Sequence, residues 1–345
     1  MSQEFLAEQQ VSDIYEKVAL LPSIWNTPAF TAGYVTTLPQ VGLILASGDD
    51  AASFLHTQLS NDVEHLTNIT ARRAAFCTAK GRMLASLVYW DGEDGIFLQL
   101  PNEILPAIQK RLSMFVLRAK VKLTDVSQKY LSFGVGGTLS EHCLLTWFPT
   151  LPEAATSKIS NEFGTLIRIH EAQQTPRYQW ICPLEHATTV WKKLCANLQA
   201  TNAGDWHLAE INAGIAWITA RTQEKFVPQM INFELIGGVN FRKGCYPGQE
   251  IVARSQYLGK LKRRMALATI PASGLIEGEE VFKQSDPSQA CGTIVNVAQI
   301  NESNSLALIE MSMADQEQGG IHCGSIEGPV ATLLPLPYAI TDITR

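Results

Sequence analysis

The stretch FRKGCYPGQE, residues 241–250, sets Cys245 between Lys243-Gly244 and Tyr246-Pro247-Gly248, with Gln249 and Glu250 directly after. A thiol attacks or binds metal as thiolate, and neighbouring cations or a helix N-terminus favour that form. Arg242 and Lys243 supply the cations in sequence. The helical composition of GQEIVARS predicts a helix starting near Gln249, so Cys245 falls at a loop-to-helix junction, where backbone N–H groups favour an anion. A turn punctuated by glycine and proline and edged with basic residues puts its thiol on display. A buried structural cysteine is the alternative reading.

The remaining chemistry-bearing residues are dispersed. Seven cysteines show no CxxC pair, which fits free thiols in a reducing compartment better than a disulfide frame or a zinc knuckle. The seven histidines carry no local signature that pairs one of them with Cys245. IHC at 321–323 is the only adjacent His-Cys pair and reads as a strand end, and no metal site is predicted. FGVGG at 133–137 lacks the GxGxxG spacing of a dinucleotide loop, and no GKS or GKT occurs.

Formal charge is −6, from 27 basic and 33 acidic residues, which argues against non-specific adhesion to nucleic acid. Arg242, Lys243, Arg254, Lys260, Lys262, Arg263 and Arg264 face one acid in the same span, Glu250. Such a run is either a solvated basic face or a site for an anionic ligand or partner.

The elements that must position Cys245 follow from hydrophobic patterning. FLAEQQVSDIYEKVALL is a short amphipathic stretch followed by Pro22 and Pro28, and reads as a helical N-terminal extension, residues 1–32. Strand-like residues from 33 end at SGDD, which caps a helix with Ala51, Phe54, Leu55 and Leu59 on one side and Asn61-Asp62 at its C-terminal end. AKGR and DGEDG are turns linking strands, and PNEILPAIQKRLSMFVLRAKVKLTDVS reads as helix then strand. Signals weaken between 140 and 205; Val190, Leu194 and Leu198 mark one helix, and Asp205 is placed as the cap of another ending near Gly214. From 261 onward, short strands separated by Gly, Pro, Ser and Asn mark a small barrel. Length and pattern predict an α+β fold in three parts: 1–32, a helical extension; 33–258, a composite body; 259–345, a β-barrel. No apolar run approaches the roughly 18 residues of a membrane span, and the start lacks a signal-peptide pattern, so cytoplasmic residence is the expectation.

FVPQMINFELIGGVNFRKGCYPGQEIVAR, residues 226–254, resembles the signature of the YgfZ family, the folate-binding relatives of the glycine-cleavage T-protein, whose hallmark is KGCY, one variable residue, then GQE. SGDDAASFLHTQLSNDV, CTAKGRMLASLVYW and LPLPY resemble further family segments, so residues 33–345 are covered. The resemblance implies a T-protein-like body around a central hole that accepts tetrahydrofolate, with a C-terminal β-barrel. It implies a role in assembly or repair of iron–sulfur clusters in selected enzymes, tRNA-methylthiolating ones included. Cys245 is then the functional thiol, with Lys243, Gly244, Tyr246, Gly248, Gln249 and Glu250 as its setting.

For the folate, Trp206 is the candidate wall, with core packing as its alternative. Glu210, one turn on, is the candidate for the pterin amines, and Arg242 and Arg254 for the glutamate tail, a solvated role standing beside that one; Gln229 and Asn232 help shape the hole. Aminomethyltransferases carry an aspartate on the hairpin strand where this chain has Ala85 and Ser86. Aminomethyl transfer by that route is therefore not expected, whereas cofactor binding is. The partners implied are a folate and iron–sulfur client or assembly proteins, with no stable nucleic-acid complex, no membrane and a monomeric chain. The competing readings are a tetrahydrofolate-dependent one-carbon transferase or demethylase and a tRNA-binding module using the basic run.

Overall fold

The computed structural model describes residues 3–257 and 261–341. Helices α1 (Gln3–Ala19) and α2 (Pro28–Ala32) lead into β1 (Tyr34–Thr37), β2 (Val41–Ser47), α3 (Ala51–Gln58), β3 (Ala71–Cys77), β4 (Met83–Gly92), β5 (Gly95–Pro101), α4 (Leu105–Ser113) and β6 (Lys122–Asp125). Next come β7 (Tyr130–Gly136), α5 (Ser140–Leu144), β8 (Lys158–Asn161), β9 (Gly164–Ala172), β10 (Thr175–Pro183), α6 (Leu184–Cys195), β11 (Gln199–Ala200) and α7 (Ala203–Asn212). The last elements are α8 (Gln249–Tyr257), β12 (Arg263–Ile270), β13 (Glu280–Lys283), β14 (Asp286–Asn301), β15 (Asn304–Ser312), α9 (Met313–Gln318), β16 (Ile321–Cys323) and β17 (Val330–Leu334). The strands order as a six-stranded sheet β11-β1-β7-β10-β9-β8, a five-stranded sheet β3-β4-β5-β2-β6 and a closed barrel β12-β15-β14-β13-β16-β17.

The chain divides into two compact units, 1–51 with 65–71 and 88–209, and 52–64 with 72–87 and 210–345. In the first unit, Phe133 on β7 and Trp180 on β10 meet edge to face, and Trp147, Phe148, Val190 and Leu194 close over them. Burial of these large side chains is the main stabilising contribution here, at roughly 25 cal/mol per Å² of apolar surface. Helix α1 adds Val11 to this core, and Gln10 accepts a hydrogen bond from Thr188 on α6. The region of weak sequence signal turns out to be the β8-β9-β10 meander, joined between β9 and β10 by Gln173 and Gln174, both at positive φ.

Asp205 does not cap α7 as the sequence suggested. It is fully buried in the first turn, where it accepts from Ile24 N–H at 2.8 Å and from the hydroxyls of Ser23 and Thr201. The cap is Asn202, whose Oδ1 takes the Gly204 N–H at 2.8 Å. At the other end, Gly214 at φ 68 stops the helix, its N–H on Ile211 O and the Ile215 N–H on Glu210 O. This pair of bonds is a Schellman stop, which only a residue tolerating the left-handed region closes without strain.

In the second unit the barrel strands pair antiparallel around Ile294, Ile309, Met311 and Ile321. IHC is strand β16, with His322 Nδ1 3.1 Å from Gly328 O and Cys323 buried. The barrel starts at Arg263; the 258/259 boundary drawn from sequence lies outside the described residues.

Candidate functional site

The chain leading into the Cys245 loop is held by the segment that follows α3. Ser60 Oγ donates to Gly238 O at 2.6 Å and accepts from Ala75 N–H at 2.7 Å, while Asn61 Nδ2 reaches Gly237 O and Arg73 O, each at 2.8 Å. Ser60 O takes the Asn240 N–H at 2.9 Å, and Asn240 Oδ1 turns the chain by accepting from Arg242 N–H at 2.8 Å. Ser60 and Asn61 thus position the loop, a role that the sequence offered only as the polar end of an amphipathic helix.

Lys243 then reaches back to the open end of α3. Its Nζ donates to His56 O at 2.5 Å and Leu59 O at 2.9 Å, and it lies 4.9 Å from the ring centre of Tyr246. A cation on the last carbonyls of a helix satisfies groups that have no partner within the helix and complements its dipole. Burial lowers the Lys243 pKa to about 8, against the opposing pull of Asp62, the Cys245 thiolate and Glu64. The Tyr246 side chain is buried, and burial raises its phenol pKa.

Gly248 at φ 81 closes the loop against the AKGR turn. A β-carbon there would stand 2.4 Å from Thr78 O and 2.6 Å from Gly81, so the two turns meet backbone to backbone. Gln249 N–H donates to Tyr246 O at 3.1 Å and opens α8, where Glu250 pairs with Arg254 at 3.0 Å on the exposed face. Cys245 itself is exposed, four residues before the helix that the sequence predicted at Gln249.

The other six thiols are built differently. Cys77, Cys143, Cys182, Cys291 and Cys323 are buried and Cys195 is half-buried; burial pushes Cys77 and Cys323 up to about 12 and Cys195 to about 11. Such thiols stay protonated at neutral pH and are poor nucleophiles. Among the described residues no three His, Cys, Asp or Glu side chains converge to hold a metal ion.

A histidine does approach the loop. His56 Nε2 would be 3.8 Å from a β-carbon on Gly244, the residue before Cys245. Its Nδ1 stands 3.1 Å from Asp62 Oδ1 and 3.9 Å from Glu64 Oε2. His56 is 189 positions before Cys245, and nothing in the sequence links them.

The residues chosen for folate do not share one environment. Trp206 lies in the first unit, buried, with the Arg177 guanidinium 4.3 Å over its ring and Gly134 so close that a β-carbon would come within 2.4 Å of the indole. Gln229 is buried in the second unit, its Nε2 on Val252 O at 2.8 Å and its Oε1 without a partner among the described residues. Asn232 Nδ2 donates to Met265 O at 2.9 Å. Arg242 is exposed, and Arg254 is engaged with Glu250.

Glu210 is buried and accepts from the Trp217 indole N–H at 2.8 Å, and Arg73 lies 5.7 Å over the same ring. The Gly214 stop folds the chain so that Trp217 meets Glu210, and Asn296 fixes the Trp217 backbone through both its N–H and its C=O. A half-exposed indole beside a buried carboxylate is what a pterin edge requires, an apolar wall with an acceptor. Trp217 lies within the helix-and-turn sequence that drew attention to Trp206, and the Gly214 stop was the signal for it.

Ala85 and Ser86 are buried on β4, where Ser86 Oγ accepts the Ile218 N–H at 2.9 Å. The basic run is not one face. Arg264 is buried against Glu234, Arg263 pairs with Glu310 at 2.5 Å, Lys243 caps α3, and Lys260 lies outside the described residues.

Over 309 residues the chain is 30% identical to the tRNA-modifying protein YgfZ of Klebsiella pneumoniae (strain 342), covering 89% of this chain and 93% of that protein. It is 29% identical over 310 residues to the protein of the same name from Photorhabdus laumondii subsp. laumondii, covering 89% and 92%. The fold matches the crystal structure of the glycine cleavage system aminomethyltransferase T from Bartonella henselae at a TM-score of 0.76, with 13% identity over 95% of this chain and 96% of that one. This likeness bears out the T-protein-like α+β fold expected from the sequence. No family model matches the chain. Identity of 30% sustained over 89% of its length makes this chain a member of the YgfZ family.

Proposed function

We propose that the chain is a folate-binding accessory protein that supports assembly or repair of iron–sulfur clusters in selected enzymes, tRNA-methylthiolating ones among them, through the Cys245 thiol. The observation that carries the reading is the contrast between Cys245 and its loop: the one exposed thiol of seven stands on a backbone anchored by Lys243, Tyr246 and Gly248. A displayed nucleophile on a fixed loop suits repeated transactions with protein clients. The relatives' name, tRNA-modifying protein, fits clients that methylthiolate tRNA. The cluster in this reading is cargo. No helix among the described residues is long and apolar enough to cross a membrane.

For the folate, Glu210 and Trp217 are the residues that fit. Trp206 and Gln229 are already packed against protein groups. A bound tetrahydrofolate would supply a one-carbon carrier; the chain's part is to hold the pterin by the Glu210 carboxylate and the Trp217 ring.

The test is complementation of cells lacking the gene, with tRNA methylthiolation as the readout and calorimetric titration with tetrahydrofolate alongside. Cys245→Ala should fail to restore methylthiolation, and Trp217→Ala should weaken folate binding about tenfold or more, the range for losing an aromatic wall. Full restoration by Cys245→Ala would remove the thiol from the function. Absence of saturable binding by the wild type would remove the folate.

A further inference from the structure

We propose that the tip of the connection between α4 and β6, where Met114, Phe115 and Leu117 stand out among cations, is a docking surface for an acidic segment of a protein partner. The inference rests on the proposed function only in taking the partners to be proteins. Helix α4 buries Leu105, Ile108 and Leu112, so its apolar stripe is complete before Met114. The chain then presents Met114 at 61% exposure, Phe115 at 47% and Leu117 at 87%. Single exposed apolar side chains need no explanation, whereas three within four residues form a patch. The tip is held firmly. Met114 N–H donates to Lys110 O at 3.2 Å, Phe115 N–H to Leu112 O at 3.0 Å and Val116 N–H to Ser113 O at 3.2 Å. At its base, Gln109 Nε2 donates to Leu123 O at 3.0 Å, and Asp50 Oδ2 accepts the Lys120 N–H at 2.7 Å. Apolar groups on a fixed backbone lose little freedom when a partner covers them.

Charge complementarity names the partner. Between Leu105 and Lys122 the chain carries five cations, Lys110, Arg111, Arg118, Lys120 and Lys122, and no acid. All but the half-buried Arg111 are exposed. Two acids meet the connection: Asp50 is used on the Lys120 backbone, and Asp49 makes an exposed pair with Lys120 at 3.4 Å, which water screens. An apolar centre of Met and aromatic side chains inside a charged rim is the anatomy of a protein interface, in which the rim steers and orients. Other polyanions fit less well. Removing these five cations takes the formal charge of the chain from −6 to −11. A tRNA or an anionic bilayer extends past the tip and meets that excess of negative charge, whereas a short acidic segment meets the tip alone, because charges beyond about 8 Å are screened at physiological salt. Met114 and Leu117 offer nothing to phosphates, and Phe115 is a single ring where single-stranded RNA is bound by stacking successive bases.

The test places the photo-crosslinking residue p-benzoylphenylalanine at position 115 of the full-length chain, in cells lacking the gene, and identifies the attached peptide by mass spectrometry. The expected adduct is with another protein, through a segment in which Asp or Glu flank apolar residues. Lys110→Glu combined with Arg118→Glu and Lys122→Glu should cut its yield about tenfold or more, as should Met114→Ser combined with Leu117→Ser. Lys192→Glu, exposed on α6, should leave it unchanged. The substituted side chains are all exposed, so the variants should keep the wild-type midpoint in urea, which confirms that they fold. An adduct with RNA, with lipid, with a second copy of this chain or with a segment lacking acids would overturn the assignment. So would the absence of any adduct, or a yield that the charge reversals do not change. The adduct does not depend on the thiol, and Cys245→Ala should retain it. Retention together with full methylthiolation in the Cys245→Ala cells would keep the docking surface and remove the thiol from the function, so the two readings fail separately.

Discussion

Lys243 ties the Cys245 loop to the end of α3. Its ammonium is half-buried, donates to two carbonyls at the end of α3 and lies against Tyr246. Replacing it with Met leaves those carbonyls without their donor, at a cost of about 2 kcal/mol for buried acceptors that lose a charged partner. Urea unfolding monitored at pH 7 should show this as a lower midpoint. The pH dependence runs the other way from an ordinary ion pair. Burial puts the folded pKa near 8, below the unfolded value of about 10.4, so between these limits the unfolded chain binds the extra proton and stability from this group rises with pH. The deficit of Lys243→Met relative to wild type should therefore widen from pH 8 to 10 and stay level from pH 6 to 7.5; a gap that closes above pH 8 would contradict the burial argument.

Elements bring that residue to its place, and the tightest constraint is between two turns. Gly81 and Gly248 both have positive φ; Gly248 has no room for a β-carbon, and one on Gly81 would press on Ile251 at 3.1 Å and on Gly248 O at 3.2 Å. Gly248→Ala forces a methyl against Thr78 O and Gly81 as well as straining the backbone, whereas Gly274→Ala, at φ 75 with nothing within 4 Å, meets only the strain. The second should cost about 1 kcal/mol and the first distinctly more. Differential denaturation of the two variants, with Cys245 alkylation as a local probe, checks this; equal losses would mean that the turns do not press on each other. The α3 face, the AKGR turn, the helix at Gln249 and the barrel strands were legible because apolar spacing and turn residues act locally. The β9-β10 hairpin was not, because Gln173-Gln174 occupies left-handed positions that Asn-Gly ordinarily marks. His56 escaped notice for a different reason: its tie to Gly244 exists only after the α3 segment folds against the loop, and no periodicity records a contact across 188 positions.

At the scale of the whole molecule, the contiguous division at 32 and 258 follows changes in composition, whereas compactness follows contacts. Residues 52–64 and 72–87 cluster with 210–345, which is how α3 and the AKGR turn come to flank a loop so distant in sequence. The same folding dissolves the basic run. Of its described members, Arg263 and Arg264 pair with Glu310 and Glu234, Arg254 with Glu250 on the exposed face, and Lys243 binds the end of α3, which leaves Arg242 and Lys262 as the exposed members outside an ion pair among the described residues, on a chain of net charge −6. Two cations release few counterions, so the slope of log K against log salt for tRNA should be shallow, roughly −2 or less, where a dedicated binder with six to ten phosphate contacts would show several times that. Fluorescence anisotropy with unmodified tRNA from 50 to 300 mM salt should give weak binding that Arg242→Glu with Lys262→Glu scarcely changes. These two positions are the right ones to reverse, because Arg263→Glu would set two carboxylates together at Glu310 and confound binding with folding. Tight, steeply salt-dependent binding lost on the double reversal would mean that the chain grips the tRNA itself. The shallow slope would place its work on the enzymes that modify tRNA, where an exposed thiol makes the contact.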